Sequence, residues 1–313
     1  MSGLRDATRP ARGARIDLAT LIGLRFSATR LSLRRRRRAL AALAGGRRSS
    51  FRGRGIDFEE VRAYQPGDDV RSIDWRVTAR TGQAHTKLFR EERERPVLIV
   101  VDQRNSLFFG SRHCFKSVLA AHLGALLAWA ALGEGDRVGG VVFDDTDHHD
   151  IRPRRSRKAV LALLSRVQAS NAALPLTARP GADDFAAMLG KLRRVARPGS
   201  SVYLVSDFQG ADSEAAREQW FRLAEHTEVL AIQVTDPAEA QLPPPGRYAV
   251  TDGVQAVELD SADPRLRQHY RSLRDRQQSR LQETLARLGI PLLAASTGES
   301  PLLLLQACFG DRR

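Results

Sequence analysis

Two apolar runs in this 313-residue chain end in an aspartate. VLIVV leads into Asp102, and SVYLVS leads into Asp207. Continuous apolar runs suit strands buried on both faces, and the carboxyl ends of such strands are where open α/β sheets bind ligands. A pair of carboxylates there could hold an oxygen-seeking cation such as Mg²⁺, or pair with a basic side chain. A second set of potential ligands, Asp144, Asp145, Asp147, His148, His149 and Asp150, is nearly consecutive. Adjacent residues on a turn rarely converge on one metal, so that set reads as a polar hairpin turn. A third concentration lies in the block GRGIDFEEVRAYQPGDDVRSIDW (Gly53–Trp75), where Arg62, Tyr64, Asp68, Asp69, Arg71, Asp74 and Trp75 are followed by Arg80. Its acids and arginines either form a partner-binding surface or close internal salt bridges. Pro66-Gly67 sets a turn, and Asp68 or Asp69 is placed to cap a short helical segment through Ile73 and Trp75. Trp75 is expected to be buried.

The chain contains no phosphate loop, no H-E-x-x-H, no C-x-x-C and no G-x-S-x-G. The seven histidines show no nucleophile–base spacing. The expectation is therefore a non-enzymatic protein; a hydrolase built on Asp102 and Asp207 is the remaining catalytic alternative.

The surrounding pattern supplies the scaffold. Short β-rich runs at Val97–Asp102, Val138–Phe143, His149–Arg152, Ser201–Asp207, Glu228–Val234 and Pro291–Ser296 alternate with helical stretches. Those stretches are announced by caps at Ser156, Asp183 or Asp184, Ser213, Asp263-Pro264 and Ser300-Pro301. The stretch from Lys116 to Leu132 is apolar nearly all round and stops at Gly133, as a buried helix does. Arg247–Val250 and Val254–Leu259 flank Asp252-Gly253 as a hairpin. Alternation of this kind implies a doubly wound, mostly parallel sheet with helices on both faces.

Charge is distributed unevenly. Residues 1–50 hold thirteen arginines against Asp6 and Asp17, so they carry +11 of the chain's net +14. Arg34, Arg35, Arg36, Arg37 and Arg38 are consecutive, flanked by Ile16, Leu18, Leu21, Ile22, Leu24, Leu31, Leu33 and Leu40. A basic arm with an apolar side could bind an anionic membrane surface or another polyanion, or dock on its own domain. No aromatic residues interleave with the run and no base-reading module is evident, so specific nucleic-acid binding is not expected. No run of about 18 apolar residues appears, nor a signal-peptide pattern. Cys114 and Cys308 lie far apart and read as reduced thiols, and the expected compartment is the cytoplasm, with peripheral membrane attachment as a variant.

The Gly53–Trp75 block, continued by TARTGQAHTKLFREERERPVLIVVDQRNS, resembles a bacterial family catalogued as domain of unknown function fifty-eight. The resemblance covers about Phe51 to the C-terminus. It implies a von Willebrand factor A-like domain at 97–313, a small, partly β family-specific segment at 51–96, and the basic helical arm at 1–50. It also implies partnership with a MoxR-type AAA+ ATPase in protein remodelling, maturation or envelope stress, and contact with other von Willebrand factor A-like proteins. In that fold a metal-ion-dependent adhesion site uses D-x-S-x-S, a threonine from another loop and a later aspartate. Here Asp102, Ser106 and Asp207 match. Arg104 replaces the first serine, and the GADD stretch with Asp183 stands where the threonine loop would be. The resemblance thus implies a degenerate site without a cofactor. Arg104 is expected to sit as a tethered cation between the two carboxylates, the alternative being that it points to solvent.

Overall fold

The computed structural model describes residues 8–33, 56–65, 68, 73–91, 96–174, 185–251 and 256–310. The chain divides into two compact units, one of residues 1–47 with 96–313 and the other of residues 48–95.

Among the described residues the larger unit opens with two short helices, α1 (Leu18–Gly23) and α2 (Arg25–Ala28). Asp17 caps α1 by accepting the Thr20 amide at 2.8 Å. Of the two alternatives for the apolar side, membrane contact or docking on its own domain, the structure shows docking: Leu21, Leu31 and Leu33 are fully buried. The Trp129 indole donates to the Leu21 carbonyl at 3.0 Å, and Gly13 bridges to Cys114. Within the expected 1–50 arm, the apolar residues of 11–33 take the docking alternative and join the domain's own hydrophobic cluster. The run Arg34–Arg38 lies outside the described residues.

The smaller unit pairs β1 (Ile56–Ala63) with β2 (His85–Glu91) in antiparallel register around helix α3 (Trp75–Thr81). The helix cap is Asp74, whose carboxylate accepts the amides of Arg76 and Val77. Ile73 does not enter the helix but bridges to Thr86. Asp68 accepts the Gln65 amide and pairs with Arg62 at 2.8 Å; residues 69–72, where its expected cap would act, lie outside the described residues. Trp75, expected to be buried, is 68% exposed, since α3 is a short helix with no buried residue.

The main sheet is built from β3 (Pro96–Asp102), β4 (Arg137–Phe143), β5 (His148–Arg154), β6 (Ser201–Ser206), β7 (Glu228–Thr235) and β10 (Leu292–Ser296), in the order β10-β7-β6-β3-β4-β5. Every pairing is parallel except that of the edge strand β5. Helices α4 (Lys116–Gly133), α5 (Arg157–Ala173) and α9 (Pro301–Phe309) share one core with Val97, Ile99 and Val101. Helices α6 (Phe185–Val195), α7 (Glu214–Ala224) and α8 (Pro264–Arg287) share the other with Leu98 and Val100. Strand alternation in β3 thus feeds two cores, as a doubly wound sheet requires. A small hairpin, β8 (Arg247–Thr251) with β9 (Ala256–Asp260), completes the unit; its Asp252-Gly253 turn lies outside the described residues. This architecture is compatible with a von Willebrand factor A-like fold.

Helix α4 is long and apolar enough to cross a membrane, but 83% of it is buried inside the domain. Its packing on β3 is close: a Cβ added at Gly124 would lie 2.6 Å from a methyl group of Val101. The same helix carries His122, whose pKa burial lowers to about 4. A depressed histidine stays neutral in the fold while the unfolded chain takes up a proton near pH 6.5, so its contribution is lost as pH falls toward 4. His122→Gln is expected to remove up to about 3 kcal/mol of acid sensitivity between those limits. The check is unfolding free energy against pH for both proteins, and parallel profiles would refute it.

Candidate functional site

Strands β3 and β6 are neighbours whose connections run in opposite directions, to β4 and to β7, so the sheet order reverses between them. This is the switch point where a doubly wound sheet opens a crevice. Asp102 ends β3 and Asp207 follows β6, so both predicted carboxylates stand at that crevice.

Arg104 lies between them. Its Nε donates to both Asp102 oxygens at 3.2 and 3.1 Å, and its Nη2 reaches Asp102 Oδ2 at 2.9 Å and Asp207 Oδ1 at 3.5 Å. The Gln209 carbonyl accepts from Nη1 and Nη2, both at 3.3 Å. The rings of Phe143 and Phe185 flank the guanidinium at 5.6 and 5.3 Å, within cation–π range. Arg104 is only 4% exposed, so the solvent-pointing alternative is excluded.

Sequence reasoning missed the second cation. Lys116, at the first turn of α4, donates to Asp207 Oδ2 at 3.1 Å and to Glu239 Oε1 at 2.6 Å. A lysine opening an otherwise apolar helix sits against the helix dipole, and that is the signal that could have found it. Glu239 is held in turn by a capping box with Asp236, whose carboxylate accepts from Ser111 and from Thr297. Ser206 donates to Asp102 Oδ2 at 2.6 Å and accepts the Phe208 amide. Phe208 adopts φ 60°, the left-handed region that non-glycine residues rarely enter. That strained residue adjoins Asp207.

Burial pushes the Asp102 carboxyl up, against the pull of Arg104. Burial would raise Asp207 too, but Lys116 and Arg104 outweigh it and hold Asp207 below the usual carboxylate range. For Lys116 the two acids overcome desolvation and raise the ammonium above its ordinary value. The Ser106 hydroxyl favours the ionised form of Asp207 without making a hydrogen bond of good geometry to it.

These residues do not fit a divalent cation. The Asp102 oxygens are already engaged by one serine, one amide and the guanidinium, and those of Asp207 by two basic side chains and an amide. A metal would have to displace a tethered charge from carboxylates whose oxygens are already taken. Asp183 and the rest of GADD lie outside the described residues.

The second cluster behaves as a turn. Asp144 accepts from Thr146, the Asp147 amide and Ser170, and Asp145 accepts the Asn105 amide. No group of three metal-ligating side chains forms among the described residues. In the 53–75 block the structure joins Arg62 to Asp68, and the Tyr64 amide donates to the Ala84 carbonyl. Asp74, Trp75 and Arg80 belong to α3 or its cap, while Asp69 and Arg71 lie outside the described residues.

Residues 60–280 match a family model described as Protein of unknown function DUF58. The chain is 31% identical over 266 residues to an uncharacterized protein, Rv1480, of Mycobacterium tuberculosis and to one of Mycobacterium bovis, covering 83% of this chain and 81% of each relative. Among solved structures it is similar to the conserved hypothetical protein BatB from Bacteroides thetaiotaomicron, at TM-score 0.39 and 15% identity over 68% of this chain and 94% of that one. An aerotolerance-related membrane protein from Bacteroides fragilis has the same TM-score at 16% identity, over 68% of this chain and 95% of that one.

Proposed function

The chain belongs to the DUF58 family, and from that premise and its self-neutralised crevice we propose that it is a non-enzymatic protein-binding module. Its partner on this reading is a MoxR-type AAA+ ATPase, in protein remodelling or maturation, as the family resemblance of the Gly53–Trp75 block suggests. The observation that carries the reading is the buried set Asp102–Arg104–Asp207–Lys116–Glu239. Each of these three carboxylates is paired with a fixed cation, so none of them is a free general base, and the set is built for rigidity rather than turnover.

What that rigidity supports is the loop joining β3 to α4. Ser111 is tied to Asp236 by two bonds, and the Phe109 carbonyl accepts the Lys116 amide at 2.7 Å. The loop presents Phe109, which is 43% exposed. A pre-ordered aromatic on a fixed loop is the kind of group that anchors interfaces. Phe109→Ala is expected to weaken capture of the ATPase about tenfold or more, with an unchanged melting temperature. Unchanged capture would remove this loop as the interface. Calorimetric titration with Mg²⁺ addresses the rest of the reading: stoichiometric binding that Asp102→Ala abolishes would restore a metal site and overturn it.

A further inference from the structure

The opposite end of the main sheet carries a cleft of about 480 Å³, walled by the starts of β3 and β4, by β5, and by the chain between α6 and β6. Its charge follows from strand alternation. In β5 Asp150, Arg152 and Arg154 are exposed on one face, while Ile151 between them packs against the core shared by α4 and α5. Arg137 joins them from the start of β4, and Arg194 and Arg197 from the end of α6 and the turn after it.

Among the described residues, five arginines therefore face one cleft that contains a single acid, Asp150. Among the described residues none of the five forms an ion pair, and Arg137 makes only a 3.4 Å bond to the Pro153 carbonyl. Arg194 can be explained by its place in the last turn of a helix, where a cation offsets the dipole. Arg152 and Arg154, on a strand, have no such explanation. Ser200 adds a second, independent observation. It lines the cleft, is fully buried, and its hydroxyl has no hydrogen-bond partner. Buried hydroxyls are nearly always satisfied, so an orphan at the wall of a cationic cleft points to a ligand that supplies the partner.

We propose that this cleft binds a small molecule carrying two or more phosphate groups. Arginine forks match phosphate oxygens in bidentate fashion, and several forks around one small volume call for closely spaced multiple negative charge. The volume is in the range of small-molecule sites, about 300–1,000 Å³. An acidic peptide is the competing ligand. It would be expected to extend β5 as an added strand, but Pro153 deprives that edge of a donor.

The test uses the full chain and inorganic tripolyphosphate as probe, with calorimetry at physiological salt. Saturable binding at one site is expected, with orthophosphate much weaker. Arg152→Ala/Arg154→Ala should raise Kd about tenfold or more, the usual effect of removing charge-assisted bonds. Ser200→Ala should raise it by less. Because both arginines are exposed, the double variant should keep its melting temperature, and neutralising Arg34–Arg38 should leave Kd unchanged. Non-saturable binding, or binding lost only when Arg34–Arg38 are neutralised, would overturn the proposal. So would an oligoglutamate peptide that competes as well as tripolyphosphate. The cleft and the strand-end network lie at opposite ends of the sheet, so failure here leaves the protein-binding reading standing.

Discussion

Asp102→Ala is expected to destabilise the protein by about 3–5 kcal/mol, because it strands a buried guanidinium. Asp102 is fully buried and Arg104 is 4% exposed. Without Asp102 the arginine loses its shortest described carboxylate partner, at 2.9 Å, and is left with the longer contact to Asp207 at 3.5 Å, while Ser206 loses its acceptor. Removing both charges tells a different story. Asp102→Leu/Arg104→Leu should recover most of the loss, since a buried ion pair replaced by apolar groups is often close to neutral in stability. Urea unfolding of the two variants and the parent measures both effects. A single variant within about 1 kcal/mol of the parent would mean that water reaches the network and that its pairing contributes little. The contrast between single and double variants also separates pairing from simple loss of volume.

Trp220→Ala should cost a similar amount, about 3–5 kcal/mol, as core tryptophan truncations do. Trp220 is fully buried and packs with Phe185 and Phe208 at centroid distances of 5.9 and 6.1 Å. Those two rings also bear on the site: Phe185 flanks the Arg104 guanidinium, and Phe208 holds the strained turn after Asp207. The truncation is therefore expected to be non-additive with Asp102→Ala in a double-mutant cycle. Trp75→Ala serves as the control. At 68% exposure it should change stability by no more than about 0.5 kcal/mol. Equal costs for the two tryptophans would contradict the placement of Trp220 in the core and Trp75 on the surface.

Local signals in the sequence determined a large part of this protein. The caps at Ser156, Ser213, Asp263 and Ser300 are where the pattern places them, because a cap depends only on the next three residues. Strands β3 and β6 and their terminal aspartates were legible for a similar reason: a strand buried on both faces must be apolar throughout, and its end is marked by the first charge. The arginine at position 104 could be weighed against Asp102 because the two lie two residues apart. Lys116 and Glu239 could not be, since they reach Asp207 or each other across 91 and 123 residues. No periodicity links such positions; only the folding of α4 and of the turn after β7 onto one crevice does. The N-terminal segment shows the same limit. Its sequence specifies an amphipathic helix but not what covers the apolar side, and the exposed hydrophobic surface of the domain claimed it. Trp75 was misjudged for the converse reason: an aromatic side chain marks apolar area, and whether that area is covered depends on neighbours that a seven-residue helix does not itself provide. The arginine cleft is likewise a tertiary product, because β4 contributes one arginine, β5 two, and α6 with the turn after it two more, which only the sheet order gathers into one place.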